Sequence, residues 1–190
     1  VAVDSSNNVY VTGYFNGAAA FGTNTLNSFG SDDIFIAKYD GNGNLTWATQ
    51  AGGTADDKAY SISADAGGNC YFTGYIRDTV AFDTQIINSI KPREADIFIA
   101  NYNANGTVQL SQVWVGKQVT SIAASAIAED ATKNKYLGGA IYGVAFLGND
   151  TLTSDYSSSL YLVKYDSGGN LIWVKQTGTG GPGAAILIGA

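Results

Sequence analysis

The sequence contains no histidine, no methionine, one cysteine and two prolines among its 190 residues. Each scarcity removes something. Without histidine, the commonest general base and metal ligand is missing. The lone Cys70 can form neither an internal disulfide nor a cysteine zinc site. It occupies a strand position held by Val9 and Lys135 elsewhere in the chain, where a buried thiol packs as a small inert hydrophobe. No apolar run approaches the roughly 18 residues of a helical membrane span, so no membrane insertion is expected. Basic clusters are scarce too: 10 Lys and Arg stand against 16 Asp and Glu, a net charge of −6. Nucleic acid is therefore not an expected partner, because phosphate binding needs several cations on one face. There is no Gly-x-Ser-x-Gly elbow and no phosphate-binding glycine loop before a helix, and no cofactor is expected. The missing methionine gives the expectation that this chain belongs to a longer or processed protein, with any signal peptide upstream.

What is present is a repeat. Asp33-Ile-Phe-Ile-Ala-Lys-Tyr-Asp-Gly-Asn-Gly-Asn-Leu-Thr-Trp47 returns as Asp96-Ile-Phe-Ile-Ala-Asn-Tyr-Asn-Ala-Asn-Gly106, and again as Leu160-Tyr-Leu-Val-Lys-Tyr-Asp-Ser-Gly-Gly-Asn-Leu-Ile-Trp173. Tyr39, Tyr102 and Tyr165 are spaced by 63 residues, as are Gly43, Gly106 and Gly169. A fixed period of that length marks a repeat architecture. Hydrophobic residues make up 45% of the chain and charged ones 14%, which suits an ordered globular unit, and 24 glycines point to many tight turns.

Within a period the alternation has period two, with apolar or aromatic groups on both faces, as in Val9 to Tyr14 and in Ile34-Phe-Ile-Ala37. Strands covered on both sides, with no helical spacing between them, must lie against other sheets. Asp4, Asp65 and Asp130 open short loops closed by Asn8, Asn69 and Asn134. They are read as turn residues, with metal ligation as the lesser alternative. The 40–44 segment reads as a hairpin turn rather than a calcium loop, since Leu45 and Ala51 stand where an EF-hand has Gly and Glu. In the second period the inner strand is expected at 60–64, the second at 70–76, the third at 96–102 and the outer at 108–115. The long connections at 16–32, 77–95 and 142–158 carry Phe21, Phe82 and Phe146, with a short extra strand expected near 23–26. Four antiparallel strands per ~60 residues, radially repeated, describe an all-β fold: a β-propeller arc of about three four-stranded blades, part of a larger propeller. The blades are expected at 1–58, 59–122 and 123–184, with 185–190 opening a next one. An arc leaves an uncovered apolar face at each end, so self-association through exposed blade faces is expected.

The Asp-Ile-Phe-Ile-Ala-Lys-Tyr-Asp-x-Asn-Gly-Asn-Leu-x-Trp signature is followed by Ala-Gly-Gly-x-x-x-Asp-x-Ala-Tyr-Ser-Ile-x-x-Asp and by Gly-Asn-x-Tyr-x-Thr-Gly-Tyr. Together these resemble the SBBP family of bacterial β-propeller repeats, and more distantly NHL-type repeats. The third copy departs at Gly138-Gly139 and Gly180-Gly-Pro-Gly183. The resemblance implies a secreted or cell-surface bacterial protein and a binding platform.

Chemistry has few candidates. The paired carboxylates Asp32/Asp33, Asp56/Asp57 and Glu129/Asp130 could serve glycoside hydrolysis, but neighbours at strand edges diverge. Trp47 and Trp173 are read as packing between blades, while Trp114, out of register with Leu110 in its place, is read as an exposed aromatic. In a meander, the long second-to-third connections and the blade-to-blade segments share one rim, where binding is expected. The candidate contacts are Asn16, Asp56, Asp57, Lys91, Arg93, Glu94 and Asp155, within 16–20, 56–58, 88–94 and 148–158, together with Trp114. The expected function is a non-enzymatic scaffold for a protein or glycan ligand. The alternative is part of a glycan-processing enzyme whose carboxylates are shared with further blades.

Overall fold

A computed structural model describes residues 1–89, 95–114, 119–147 and 150–177, and their backbone is β throughout. The strands are β1 (Ala2–Val3), β2 (Val9–Phe15), β3 (Ala18–Phe21), β4 (Asn24–Asn27), β5 (Asp33–Tyr39), β6 (Leu45–Gly53), β7 (Lys58–Ala64), β8 (Cys70–Ile76), β9 (Thr79–Phe82), β10 (Gln85–Asn88), β11 (Asp96–Tyr102), β12 (Val108–Trp114), β13 (Val119–Glu129), β14 (Lys135–Leu147), β15 (Asp150–Tyr165) and β16 (Leu171–Gln176). They form three antiparallel meanders: β1-β2-β5-β6, β7-β8-β11-β12 and β13-β14-β15-β16. These are the blades of a partial β-propeller.

Every meander turn at one end of the blades uses the same five-residue device. Asp4, Asp40, Asp65, Asn103, Asp130 and Asp166 each bond the fifth turn residue through the main chain. Their side-chain oxygens accept the amide of that same residue at 2.8–3.0 Å. In five of the six turns that residue is Asn, whose side-chain amide returns a second bond to the carboxylate. The carboxylates are therefore consumed locally, as the turn reading of Asp4, Asp65 and Asp130 requires. The positive φ falls not on the closing Asn but on the fourth residue: Asn7, Gly43, Gly68, Gly106, Lys133 and Gly169.

The period-two pattern translates directly into stacking. On β5, Ile34, Ile36 and Lys38 are buried against the second blade, in one core with Phe72, Phe98, Ala100 and Tyr102. On β11 the alternate residues Ile97 and Ile99 turn the other way, into a second core with Leu137, Tyr161, Val163 and Tyr165. All seven residues of β11 are buried, because a middle blade has no solvent face. Each blade thus has an outgoing face (Ile34, Ile36, Lys38 and their equivalents) and an incoming face (Phe35, Ala37, Tyr39 and theirs). Cys70 sits wholly buried in the first core, its thiol pushed up to about 12 by desolvation. That is the inert thiol expected.

The first junction also has polar pins. The Trp47 indole N–H donates to the Ala104 carbonyl at 3.0 Å, and Lys38 Nζ reaches the same oxygen at 3.4 Å. The Tyr10 hydroxyl, which also bonds Asp4, donates to the Gly68 carbonyl at 2.9 Å. Trp47 lies over Gly106, where a Cβ would stand 2.8 Å from a ring carbon, so this turn must be both left-handed and bare.

The long connections depart from the sequence expectation. Where one short strand near 23–26 is expected, 18–27 forms a complete hairpin, β3–β4. The Gln50 side chain clamps it to the outer strand by bonds to both backbone groups of Asn27. Gln176 repeats this clamp on Thr153. The second connection forms the hairpin β9–β10, and β9 pairs with β6 of the preceding blade through Ala51, Gly52 and Gly53. In the third, β14 and β15 simply run on, pairing as far as Leu147 with Asp150. The "loops" are therefore strands, since their backbone groups need partners at the crowded junctions.

Trp47→Ala should cost about 3 kcal/mol in urea unfolding, because it removes an aromatic plug and leaves a cavity between blades. Trp47→Phe should cost less, roughly 1–2 kcal/mol, keeping part of the stack but losing the indole hydrogen bond. Wild-type stability in both would show that the blades do not depend on this plug.

Candidate functional site

At the end of the blades opposite the six turns, the first and second blades meet in a concentration of charge. Asp32 and Asp33 lie at the start of β5, Asp56 and Asp57 in the segment joining β6 to β7, Lys58 at the start of β7, and Arg77 just after β8. The expected divergence of neighbouring carboxylates is what the structure shows. Asp32 turns outward onto Lys58, Oδ2 to Nζ 2.7 Å, whereas Asp33 turns inward and accepts the Phe29 amide at 2.7 Å. Asp56 accepts the Ser31 hydroxyl and pairs with the Arg77 guanidinium at 3.4 Å, whereas Asp57 accepts the Arg77 backbone amide at 2.8 Å. Glu129 and Asp130 divide likewise: Glu129 is buried beside Lys135 at 3.6 Å, and Asp130 closes its own turn.

The pairing that sequence reading missed joins members of different doublets. Asp33 and Asp57 are both fully buried, and the Asp33 charge disfavours ionisation of Asp57. No protein donor reaches Asp33 Oδ1 or Asp57 Oδ2. Desolvation, then the Asp33 charge, push the Asp57 carboxyl up to about 7, against backbone bonds that favour its ionised form. Asp33 is raised by burial as well. Asp56 moves the other way, lowered first by the Ser31 hydrogen bond, and Lys58 is raised by its bond to Asp32. Both buried carboxylates are shielded from solvent.

Above the charges stands a feature absent from the sequence-derived candidates: three tyrosines. Tyr14 is the last residue but one of β2, Tyr60 lies on the inner strand β7 and Tyr75 is the last residue but one of β8. Tyr60 meets Tyr14 edge-on at 6.4 Å and Tyr75 at 5.9 Å. Lys58 Nζ sits 4.3 Å from the Tyr14 ring centre, and the Arg77 guanidinium 5.3 Å from that of Tyr75. Even so, Tyr14 and Tyr60 remain 47% and 48% exposed. Tyr60 is thrust out by a β-bulge, as Ala59 pairs with Gly74 and Ser61 with Thr73. The bulge needs a glycine opposite it, because a Cβ on Gly74 would strike the Lys58 carbonyl. β13 repeats this bulge between Ala124 and Ala126, with Ser125 exposed in the tyrosine's place. Beside the tyrosines an open cleft of about 250 Å³ is lined by Ser31, Ala55, Asp56, Arg77 and Asp78.

Of the sequence candidates, Asp56 and Asp57 belong to this junction, Asp57 as a buried group rather than a contact surface. Asn16 is exposed just beyond β2. Lys91, Arg93 and Glu94 lie outside the described residues. Trp114 and Asp155 fall in β12 and β15, but their side chains lie outside the described set. Trp47 packs between blades, as expected. Among the described residues, no three of His, Cys, Asp and Glu are grouped to hold a metal, and no helix is long and apolar enough to cross a membrane. On the opposite rim, a cleft of about 230 Å³ between the second and third blades is lined by Asp65, Glu129, Asp130 and Lys133. Lys133 spans it to Asp65 at 3.1 Å.

No family model matches the chain. It is 25% identical, over 215 residues, to an uncharacterized WD repeat-containing protein of Acanthamoeba polyphaga mimivirus. The match covers 94% of this chain but 15% of that protein. The likeness agrees with the observed architecture: a propeller-like repeat scaffold.

Asp57 makes stability pH-dependent with a definite sign. Its folded-state value exceeds the unfolded one, so the folded protein holds this proton longer. The stability it confers is full below about pH 4 and is lost as pH rises toward 7. Asp57→Asn should therefore gain on wild type between pH 4.5 and 8, by at most about 4 kcal/mol for a three-unit shift. Parallel melting curves for the two proteins across that range would show that Asp57 does not titrate as described.

Proposed function

We propose that this chain is a non-catalytic propeller module, the scaffold part of a larger protein, holding a protein or glycan partner at the rim where its first two blades meet. The carrying observation is Tyr60. A bulge on the innermost strand presents a large aromatic side chain half-exposed, next to Tyr14, Tyr75 and two ion pairs, at a position where the third blade carries Ser125. Exposed tyrosines on a rigid frame lose little conformational freedom on binding, which is why they anchor partners efficiently. The Asp32–Lys58 and Asp56–Arg77 pairs supply donors and acceptors side by side without a large net charge.

This reading centres the binding surface on the junction between the long connections, where 18–27 and 79–88 are hairpins bound to the outer strand. The likeness to a WD repeat-containing protein supports a scaffold role. The SBBP-like signature is what favours a secreted or cell-surface bacterial setting. The glycan-processing alternative has less support, because Asp33 and Asp57, the close carboxylates here, are sealed in.

Immobilised chain screened against glycan and peptide arrays, with Tyr60→Ser as the matched control, tests the proposal. Ligands should bind the wild type and lose at least about tenfold in affinity to the variant, as for an aromatic hot spot. Because Ser already occupies the equivalent bulge, melting should change by less than about 1 kcal/mol. Ligands bound equally by both proteins would place recognition elsewhere.

A further inference from the structure

The rim where the first two blades meet presents flat aromatic surface and paired charge side by side. Tyr14 and Tyr60 stand almost at right angles, 82° between their ring planes, and about half of each side chain is open to solvent. Neither ring is loose. The Tyr60 side chain hydrogen-bonds that of Tyr75, and Lys58 Nζ lies 4.3 Å from the centre of the Tyr14 ring. Beside them opens the cleft of about 250 Å³ walled by Ser31, Ala55, Asp56, Arg77 and Asp78. The Ser31 hydroxyl and the Arg77 guanidinium both donate to Asp56, and Lys58 pairs with Asp32, so the polar groups point in fixed directions.

This chemistry disfavours several kinds of partner. An extended peptide that adds a strand needs unpaired backbone groups along an edge. Here they are taken. The Asp57 amide donates to the Asp32 carbonyl at 2.7 Å, the Arg77 amide to the Asp57 carboxylate at 2.8 Å and the Phe29 amide to that of Asp33 at 2.7 Å, while the β6 edge pairs with β9. A phosphate or sulfate group calls for cations in excess. Lys58 and Arg77 are each paired with a carboxylate, Asp78 adds a third acidic side chain, and the chain as a whole carries −6. What suits the rim is an uncharged molecule with an apolar C–H face and a border of hydroxyls, each donor and acceptor at once. A hexopyranose has both. Its axial C–H groups, slightly positive, match the negative face of an aromatic ring. Its adjacent hydroxyls match a carboxylate and the cation beside it, one donating to the first and the other accepting from the second.

We infer that this rim binds an uncharged hexose glycan, with one pyranose ring stacked on Tyr60 in the corner made with Tyr14 and its hydroxyls reaching Asp56 and Arg77 in the cleft. The inference deepens the proposed function and rests on it. The cleft is smaller than the roughly 300–1,000 Å³ of drug-sized sites, so it takes one sugar unit while the rest of the glycan runs along the rim. A contact so small and open holds its ligand with a Kd of about 1 mM.

Saturation-transfer NMR on the 190-residue chain, with irradiation of the aromatic protons, reads the stacking directly. The probes are the uncharged tetrasaccharides of cellulose, starch and chitin, with a heparin tetrasaccharide as the anionic comparison and the peptide array run in parallel. Saturation should reach the ring C–H protons of at least one uncharged tetrasaccharide, and the heparin fragment should bind about tenfold more weakly or not at all. Tyr60→Ser should weaken the sugar about tenfold. Asp56→Asn, which keeps the side-chain shape, should weaken it severalfold by removing the charged acceptor. Circular dichroism verifies that both variants fold. Peptides bound in a Tyr60-dependent way with no tetrasaccharide bound would overturn the glycan inference and leave the rim standing as the binding surface. Tetrasaccharides bound equally by Tyr60→Ser, or a preference for the heparin fragment, would overturn the inference as well. If neither sugars nor peptides lose affinity to Tyr60→Ser, the inference and the proposed function fall together.

Discussion

The controlling constraint is that a strand apolar on both faces has no side to give to water. β11 shows it most fully: Phe98, Ala100 and Tyr102 enter one core while Ile97 and Ile99 enter the other. Such a sheet is stable only between two others. Because neighbouring twisted sheets fan about an axis rather than lie flat, the result is wedges in an arc. The dry interior then dictates the polar details. A backbone group at a blade edge must find a partner, so β9 crosses to β6 and Gln50 offers its amide as a surrogate strand.

The distribution of acidic residues follows the same logic. With 16 Asp and Glu, the chain looks rich in candidate chemistry. Five of its aspartates are absorbed in turns, and there hydrogen bonding settles their state. Asp40 is held below its ordinary value first by the Asn44 side chain; Asp4 and Asp65, despite burial, are lowered by their Asn partners. Asp57 is the exception. It has one backbone donor from Arg77 and a second from Gly53, but lies so deep beside Asp33 that desolvation wins. Turn carboxylates favour the folded state at neutral pH, whereas the Asp57 charge opposes it.

Much of the fold was legible. The 63-residue period, the alternation within 34–37 and the Asp and Asn bracketing each short turn all describe contacts made within or between adjacent strands. What was hidden depends on neighbours remote in sequence. The adhesion of β9 to the preceding blade is set by the edge that β6 leaves open, and nothing in Thr79-Val-Ala-Phe82 announces it. Asp33 and Asp57 stand at opposite ends of the β5–β6 hairpin sequence, so the effect of Asp33 on Asp57 appears only in three dimensions. Tyr60 reads as ordinary strand sequence, because a bulge has no local signature stronger than the glycine opposite it.

That bulge shows where such a scaffold can vary. Residues at the blade cores are fixed by volume, and turn residues by conformation or by hydrogen bonds. The inner-strand bulge is fixed by neither: its backbone is held by Ala59 and Ser61 pairing with Gly74 and Thr73, while its side chain leaves the sheet altogether. Replacing Tyr60 by the Ser found at 125 changes no core contact, whereas replacing Gly74 would break the bulge itself. A repeat protein that must keep three blades alike can therefore differentiate them at this one point at little structural cost. The aromatic surface of the first junction is the consequence of that freedom.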